Sequence, residues 1–188
     1  MILQPLDPDE DLLARCRAQD PAGLAGVVAR HGDRVYRALV LIVKDPEDAR
    51  DLAQETFVRF VRSLDSYRGD ASLKSWLLRI ATNLALNRLR DRERRGDALS
   101  LDALPEALAP GAPLEHGPEE VALRRLAMDE VKRFVDGLSP PLRAVAVLRF
   151  LEEQSYEEIA RALEVQIGTV RSRLNAVRFA ARALFGSR

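Results

Sequence analysis

One cysteine, Cys16, and two histidines, His31 and His116, are all that 188 residues contain of either type. A single thiol excludes an internal disulfide, and two isolated histidines leave no ligand set for a dedicated zinc site. No metal, no cofactor and a reducing, cytoplasmic setting are therefore expected. No apolar run approaches the roughly 18 residues of a membrane span. The amino terminus, MILQPLDPDEDLL, is acidic where a signal peptide would be basic, so neither membrane insertion nor export is expected. The sequence also has no glycine-rich phosphate loop, no paired metal ligands and no nucleophile–base arrangement. It offers no catalytic residue, and an enzyme is not expected. What it does have is 47% hydrophobic and 31% charged residues with only 5% aromatics, the balance of a well-solvated helical protein with enough apolar material for a core.

A formal net charge of zero argues against a polyanion partner only if charge is spread evenly, and it is not. Residues 68–95 carry eight Lys/Arg against three Asp/Glu, and 96–120 carry none against six. Residues 121–150 hold six against three, 151–167 one against five, and 168–188 five against none. Two basic segments separated by acidic ones fit a chain that touches a polyanion at two places, although solvated helix faces produce charge runs as well.

Helix starts are marked by Asp7-Pro8, Asp20-Pro21, Asp45-Pro46 and Ser139-Pro140. Each is an N-cap followed by a proline whose missing N–H costs nothing at the first helical position. From Asp45 the apolar residues Ala49, Leu52, Ala53, Phe57, Phe60, Val61 and Leu64 form a helical stripe ending near Leu64. A second helix, starting near Ser72 or Ser75, should bury Trp76, Leu77, Ile80, Ala81 and Leu84. Earlier helices are indicated by Leu24/Val27/Val28 and by Val35/Tyr36/Leu39/Val40/Val43. The breakers Gly96, Pro105, Pro110, Gly111, Pro113, Gly117 and Pro118 describe a linker. Helices resume over 119–136, from Ser139 to about Phe150, over 155–163 and over about 168–184. No alternating β pattern and no repeat is present. The expected fold is all-α: an extension (1–19), a helical domain (20–95), a flexible acidic linker (96–118) and a second helical domain (119–188).

Ser155-Tyr-Glu-Glu158 is a capping box opening a short helix with Tyr156, Ile159, Ala160 and Leu163 on one face. A tight turn from Glu164 to Ile167 then leads into a basic helix with Val170, Leu174, Val177, Ala181 and Leu184 inward. That is a helix-turn-helix, whose second helix enters the DNA major groove in such folds. Arg171, Asn175, Arg178 and Arg182 lie within about 60° of one another at 100° per residue, with Ser172 further round. Arginine reads guanine bidentately and asparagine reads adenine, and both also grip phosphate. A bundle helix with snorkelling arginines has a similar pattern. In the first domain Arg79, Asn83, Asn87, Arg90 and Arg94 form a second amide–arginine stripe, suited to base edges or unstacked bases. On the helix from Asp45, Asp48, Asp51 and Glu55 make an acidic line with Val58 beside it and Gln54 on its flank. Such a line suits a basic partner surface and equally suits the helix dipole.

Taken in order, DPEDARDLAQETFVRFV, SYRGDASLKSWLLRIATNLALNRLR and LSPPLRAVAVLRFLEEQSYEEIARALEVQIGTVRSRL resemble a bacterial sigma factor of the extracytoplasmic-function class over roughly residues 20–185. The resemblance implies a protein that binds RNA polymerase core, directs it to promoter DNA and helps to melt it, with an anti-sigma factor as a further partner. It implies polymerase contacts at Asp48, Asp51, Gln54, Glu55 and Phe57, although the stripe position of Phe57 favours the core. It places the stripe Arg79, Asn83, Asn87, Arg90 and Arg94 at the minus-ten element. Thr169, Arg171, Ser172, Arg173, Asn175 and Arg178 fall at the minus-thirty-five element. The sequence departs from the family pattern at three points: Leu73 for a phenylalanine, Glu164 for a glycine at the end of the first helix of the helix-turn-helix, and Ala176 for an arginine. The left-handed cap that the glycine normally provides would be strained at Glu164 by about a kcal/mol, unless the turn differs. The alternatives are a helix-turn-helix regulator that acts without replacing the sigma subunit, and a helical adaptor for protein partners alone.

Overall fold

Asp20 and Asp45 begin two of the three long helices that carry the first domain's core. The Asp20 carboxylate accepts from the Ala22 N–H at 2.9 Å, and that of Asp45 accepts from Glu47 and Asp48 at 2.9 and 3.1 Å. The structure, a computed structural model, describes residues 8–96 and 133–185, among which there is helix and no strand. The helices are α1 (Pro8–Arg17), α2 (Pro21–Val43), α3 (Pro46–Ser63, followed by a 3-10 turn Leu64–Ser66), α4 (Leu73–Arg95), α5 (Pro140–Ala146, continuing as a π turn Val147–Leu151), α6 (Tyr156–Leu163) and α7 (Ile167–Phe185). Residues 133–137 are also helical. The expected linker from 97 onward, most of the helix at 119–136, the Asp7 cap and His116 lie outside the described residues.

Several elements differ in detail from the sequence reading. The two apolar groups between Leu24 and Val43 belong to one helix, because nothing between them breaks it. That helix ends where Lys44 turns left-handed (φ 62°) ahead of Pro46. Val28 and Val61 are exposed, one step off their stripes. In α4 the buried face is Leu73, Leu77, Leu78, Ala81, Leu84, Ala85 and Leu89, which leaves Trp76 and Ile80 half-buried on its flank. Trp76 lies between Tyr67, stacked at 4.7 Å, and Phe60, edge-on at 5.5 Å. The helix from Ser139 does not run regularly to Phe150 but widens into the π turn at Val147, a form that recurs at functional positions.

The helix α1, read from the sequence as an extension, packs on α2. A Cβ at Gly23 would stand 2.6 Å from the Cys16 backbone nitrogen, so only glycine allows that approach. Buried Leu13 and the 3.0 Å contact between His31 Nε2 and Asp9 Oδ1 complete the contact. The second domain is not a separate body. Buried Ile159, Ala162, Leu163, Val170 and Leu174 belong to the same apolar cluster as Leu39, Phe60, Leu77 and Leu78. Each of these side chains larger than alanine contributes about 1.5–3 kcal/mol by leaving water.

Candidate nucleic-acid and polymerase interface

The acidic line of α3 divides by burial. Asp51 and Gln54 are exposed and Glu55 half-exposed, but Asp48 is only 7% exposed. Its carboxylate accepts from Arg88 at 2.6 Å and forms an ion pair with Arg92 at 2.9 Å, both on α4. Arg92 also reaches Asp45 at 3.3 Å. Burial raises the Asp45 carboxyl, but the Asp48 N–H, the Arg92 guanidinium and the Glu47 N–H outweigh it and leave the group below its ordinary value. Asp48 thus clamps α3 to α4. The basic stretch of α4 is divided in the same way, with Arg88 and Arg92 turned to the clamp. Phe57, 8% exposed, is in the core. What remains outward is an acidic edge that includes Asp51 and Glu55. With Arg59, Asn87, Arg88 and Asp91 these line a cleft of about 540 Å³.

On α4 the amide–arginine stripe lies on one face. Arg79, Asn87, Arg90 and Arg94 are exposed and Asn83 is half-buried. Arg90 donates to the Asn87 carbonyl oxygen at 2.7 Å, and Arg94 pairs with Asp91. Arg79 is engaged differently, as its guanidinium meets Glu164 of the second domain at 3.2 Å.

Ser155 and Glu158 form the expected capping box, the Ser155 N–H donating to Glu158 at 2.8 Å and the Glu158 N–H to Ser155 at 3.1 Å. The turn is closed by Glu164 in the left-handed conformation (φ 54°), its N–H capping α6 at Ala160 and Arg161. The strained alternative is therefore the one adopted. Along α7, Val170, Leu174 and Val177 are buried, whereas Leu184 is half exposed. Arg171, Ser172, Asn175 and Arg178 point outward, and Thr169 and Arg173 are half-buried. Arg178 is braced by Asn175 Oδ1 at 3.2 Å and by the Tyr156 hydroxyl at 3.1 Å. Arg149 in turn lies 5.5 Å over the Tyr156 ring. Arg171 shares none of these braces.

Sequence reasoning missed the polar residues between the domains. Lys74 donates to the Glu152 carbonyl at 3.0 Å, Ser75 to the Glu158 carboxylate at 2.9 Å, and Lys44 pairs with Asp136 at 3.0 Å. Glu152 itself is 4% exposed and lies 3.3 Å from Arg34. Burial raises its pKa, and Arg34, Lys74 and Arg37 offset that only in part. Glu158 is held below its ordinary value, first by the Ser155 N–H and also by Ser75. The capping box was legible, but its second use was not, because Ser75 is 83 residues away.

No helix among the described residues is long and apolar enough to cross a membrane, and no group of three or more His, Cys, Asp or Glu there could hold a metal ion. Residues 27–95 match the family model "Sigma-70 region 2", and 128–178 match "Sigma-70, region 4". The ECF RNA polymerase sigma factor SigE of Mycolicibacterium smegmatis is 38% identical over 149 residues, covering 79% of this chain but only 56% of that protein. The ECF RNA polymerase sigma-E factor of Escherichia coli K12 is 36% identical over 169 residues, 88% of each chain. CnrH, solved in complex with the cytosolic domain of CnrY, superimposes with a TM-score of 0.65 at 25% identity, covering 96% of this chain and 99% of that one. RpoE of Bartonella quintana, solved with the anti-sigma factor NepR, has the same fold, with a TM-score of 0.65 at 22% identity over 85% and 94% of the two chains. A regulator that leaves the sigma subunit in place is not favoured by these matches, and the chain belongs to the extracytoplasmic-function sigma factors of RNA polymerase.

Proposed function

We propose that this chain binds RNA polymerase core through the exposed edge Asp51, Gln54 and Glu55 of α3, with Asp48 and Phe57 holding that helix in place from beneath. Arg79, Asn83, Asn87, Arg90 and Arg94 of α4 engage the minus-ten element. Thr169, Arg171, Ser172, Arg173, Asn175 and Arg178 engage the minus-thirty-five element. The observation that carries this reading is the pair of amide–arginine faces on α4 and α7, one in each of the two segments matching sigma-70 region 2 and region 4. Mounted on polymerase, two weak readers gain effective concentration, so neither needs to bind DNA tightly alone. The role is regulatory, without catalysis by the chain itself. An anti-sigma factor is a fitting further partner, since the structural relatives CnrH and RpoE were solved with such partners or a cytosolic domain.

The test is co-purification with polymerase core, comparing the parent with Asp51→Arg/Glu55→Arg. Loss of retention with an unchanged helical melting profile is expected. Undiminished retention returns the acidic edge to a helix-dipole role.

A further inference from the structure

Phe179 is the most exposed of the large apolar side chains among the described residues, with 77% of its surface open to solvent. It belongs to neither apolar cluster there, although it sits in the middle of α7. Single apolar residues on a surface are ordinary, so position decides what this one means. At about 100° per residue, Phe179 lies about 180° from buried Val170 and about 160° from buried Val177. Its ring therefore leaves the helix on the side opposite the core. Ser172 is about 20° away round the helix and Asn175 about 40° away, both exposed. Ser172 and Phe179 are about 10 Å apart along the axis, the rise of about three base pairs.

The charges of α7 are arranged around this line and not on it. Arg178 and Arg182 lie on one flank and Arg173 on the other, and residues 168–188 contain no Asp or Glu. Cations on both flanks suit the two phosphate walls of a major groove about 12 Å wide, with the outermost residues of the helix against the base edges. Ala176, where the family pattern has an arginine, leaves the ring uncovered. Helical side chains lean toward the N-terminus, which carries the Phe179 ring over Asn175 and Ala176, and a long side chain at 176 would lie across it. Among the groups that base pairs show in the major groove, the thymine 5-methyl is the apolar one.

Resting on the sigma-factor reading, we infer that Phe179 reads a thymine of the upstream promoter element through its 5-methyl group. The ring packs on that methyl in the major groove and leaves the hydrogen-bonding edges of neighbouring pairs to Arg171 and Asn175. A uracil at the same position offers the same polar edge without the methyl. Removing one buried methyl group weakens promoter binding about fourfold.

The test uses core polymerase loaded with the full chain and a promoter recovered from a template library randomised upstream of the start site. Each thymine of the upstream block, on either strand, is replaced in turn by deoxyuridine, which removes the methyl and keeps every hydrogen-bonding group. The parent holoenzyme should lose about fourfold in promoter affinity at one position and little at the others. Phe179→Ala should bind the unmodified promoter at least as weakly as the parent binds the deoxyuridine one, with no further loss at that position. Phe179→Leu, which keeps an apolar side chain, should retain most of the preference. Both variants should keep the parent's melting temperature and its retention by core. Indifference of the parent to deoxyuridine throughout the block, a block without thymine, or an undiminished deoxyuridine penalty in Phe179→Ala overturns the assignment. Loss of core retention in Phe179→Ala makes the ring a protein contact and overturns it as well. If core transcribes identically with and without the parent chain, the sigma-factor reading itself fails, and the thymine assignment with it.

Discussion

Asp48 shows how one carboxylate in an acidic line can have a different job from its neighbours. Asp51 and Glu55 share its spacing but not its burial, and only Asp48 receives two guanidinium groups from α4. Asp48→Ala should lower stability by about 3 kcal/mol, the low end for breaking a buried pair since Arg88 is partly exposed, as thermal or urea unfolding would show. A loss under about 0.5 kcal/mol would mean that the clamp is a surface pair. Glu152 gives a prediction of opposite sign. Its pKa is raised in the folded chain, so the folded state binds the proton more tightly. Its contribution therefore grows as pH falls through that raised value and levels off below the ordinary glutamate range. Asp45 and Glu158, both lowered, lose their contributions on further acidification. Glu152→Gln should remove the first dependence and keep the second. Parallel stability–pH curves for variant and parent would contradict this.

At the scale of elements, single substitutions probe the docking of α1 and the face of α7. The Gly23 approach leaves no room for a methyl group against backbone, so Gly23→Ala should displace α1 at a cost of about 1–3 kcal/mol. Limited proteolysis near Arg17 should quicken; an unchanged cleavage rate would show that α1 relocates without penalty. On α7, Arg178 is braced by Asn175 and Tyr156 while Arg171 stands at the exposed start of the helix. Arg171→Ala should relax preference at one base pair by about 1–3 kcal/mol, and Arg178→Ala should weaken all promoters alike. Transcription by holoenzyme from a library randomised in the upstream element separates the two. Uniform loss in both variants would leave α7 with affinity but no specificity. Much of this level was legible in the sequence, because the Asp20 and Asp45 caps, the capping box and the stripes of α3 and α7 are local, although the Ser139 side chain makes no capping bond. The single helix over Pro21–Val43, the π turn after Ala146 and the outward turn of Val61 were not, as neighbouring helices decide them.

For the whole molecule, the two-part all-α plan and both amide–arginine stripes could be read from composition and spacing. The closure of one domain on the other could not. Its contacts join residues 74–79 to 152–164, and each partner taken alone looks like an ordinary surface charge or helix cap. The same distance in sequence hid the clamp that takes Asp48, Arg88 and Arg92 out of the exposed charge pattern. Both arrangements narrow the proposed polymerase edge and the proposed DNA stripe to fewer free groups than the charge count offers. A sigma factor gives polymerase a promoter preference, here proposed to act through two separated readers. The most direct test is run-off transcription by core polymerase, with and without the full chain, on a template library randomised upstream of the start site. Adding the chain should select two short sequence blocks at a fixed spacing. Identical transcripts with and without the chain would contradict it.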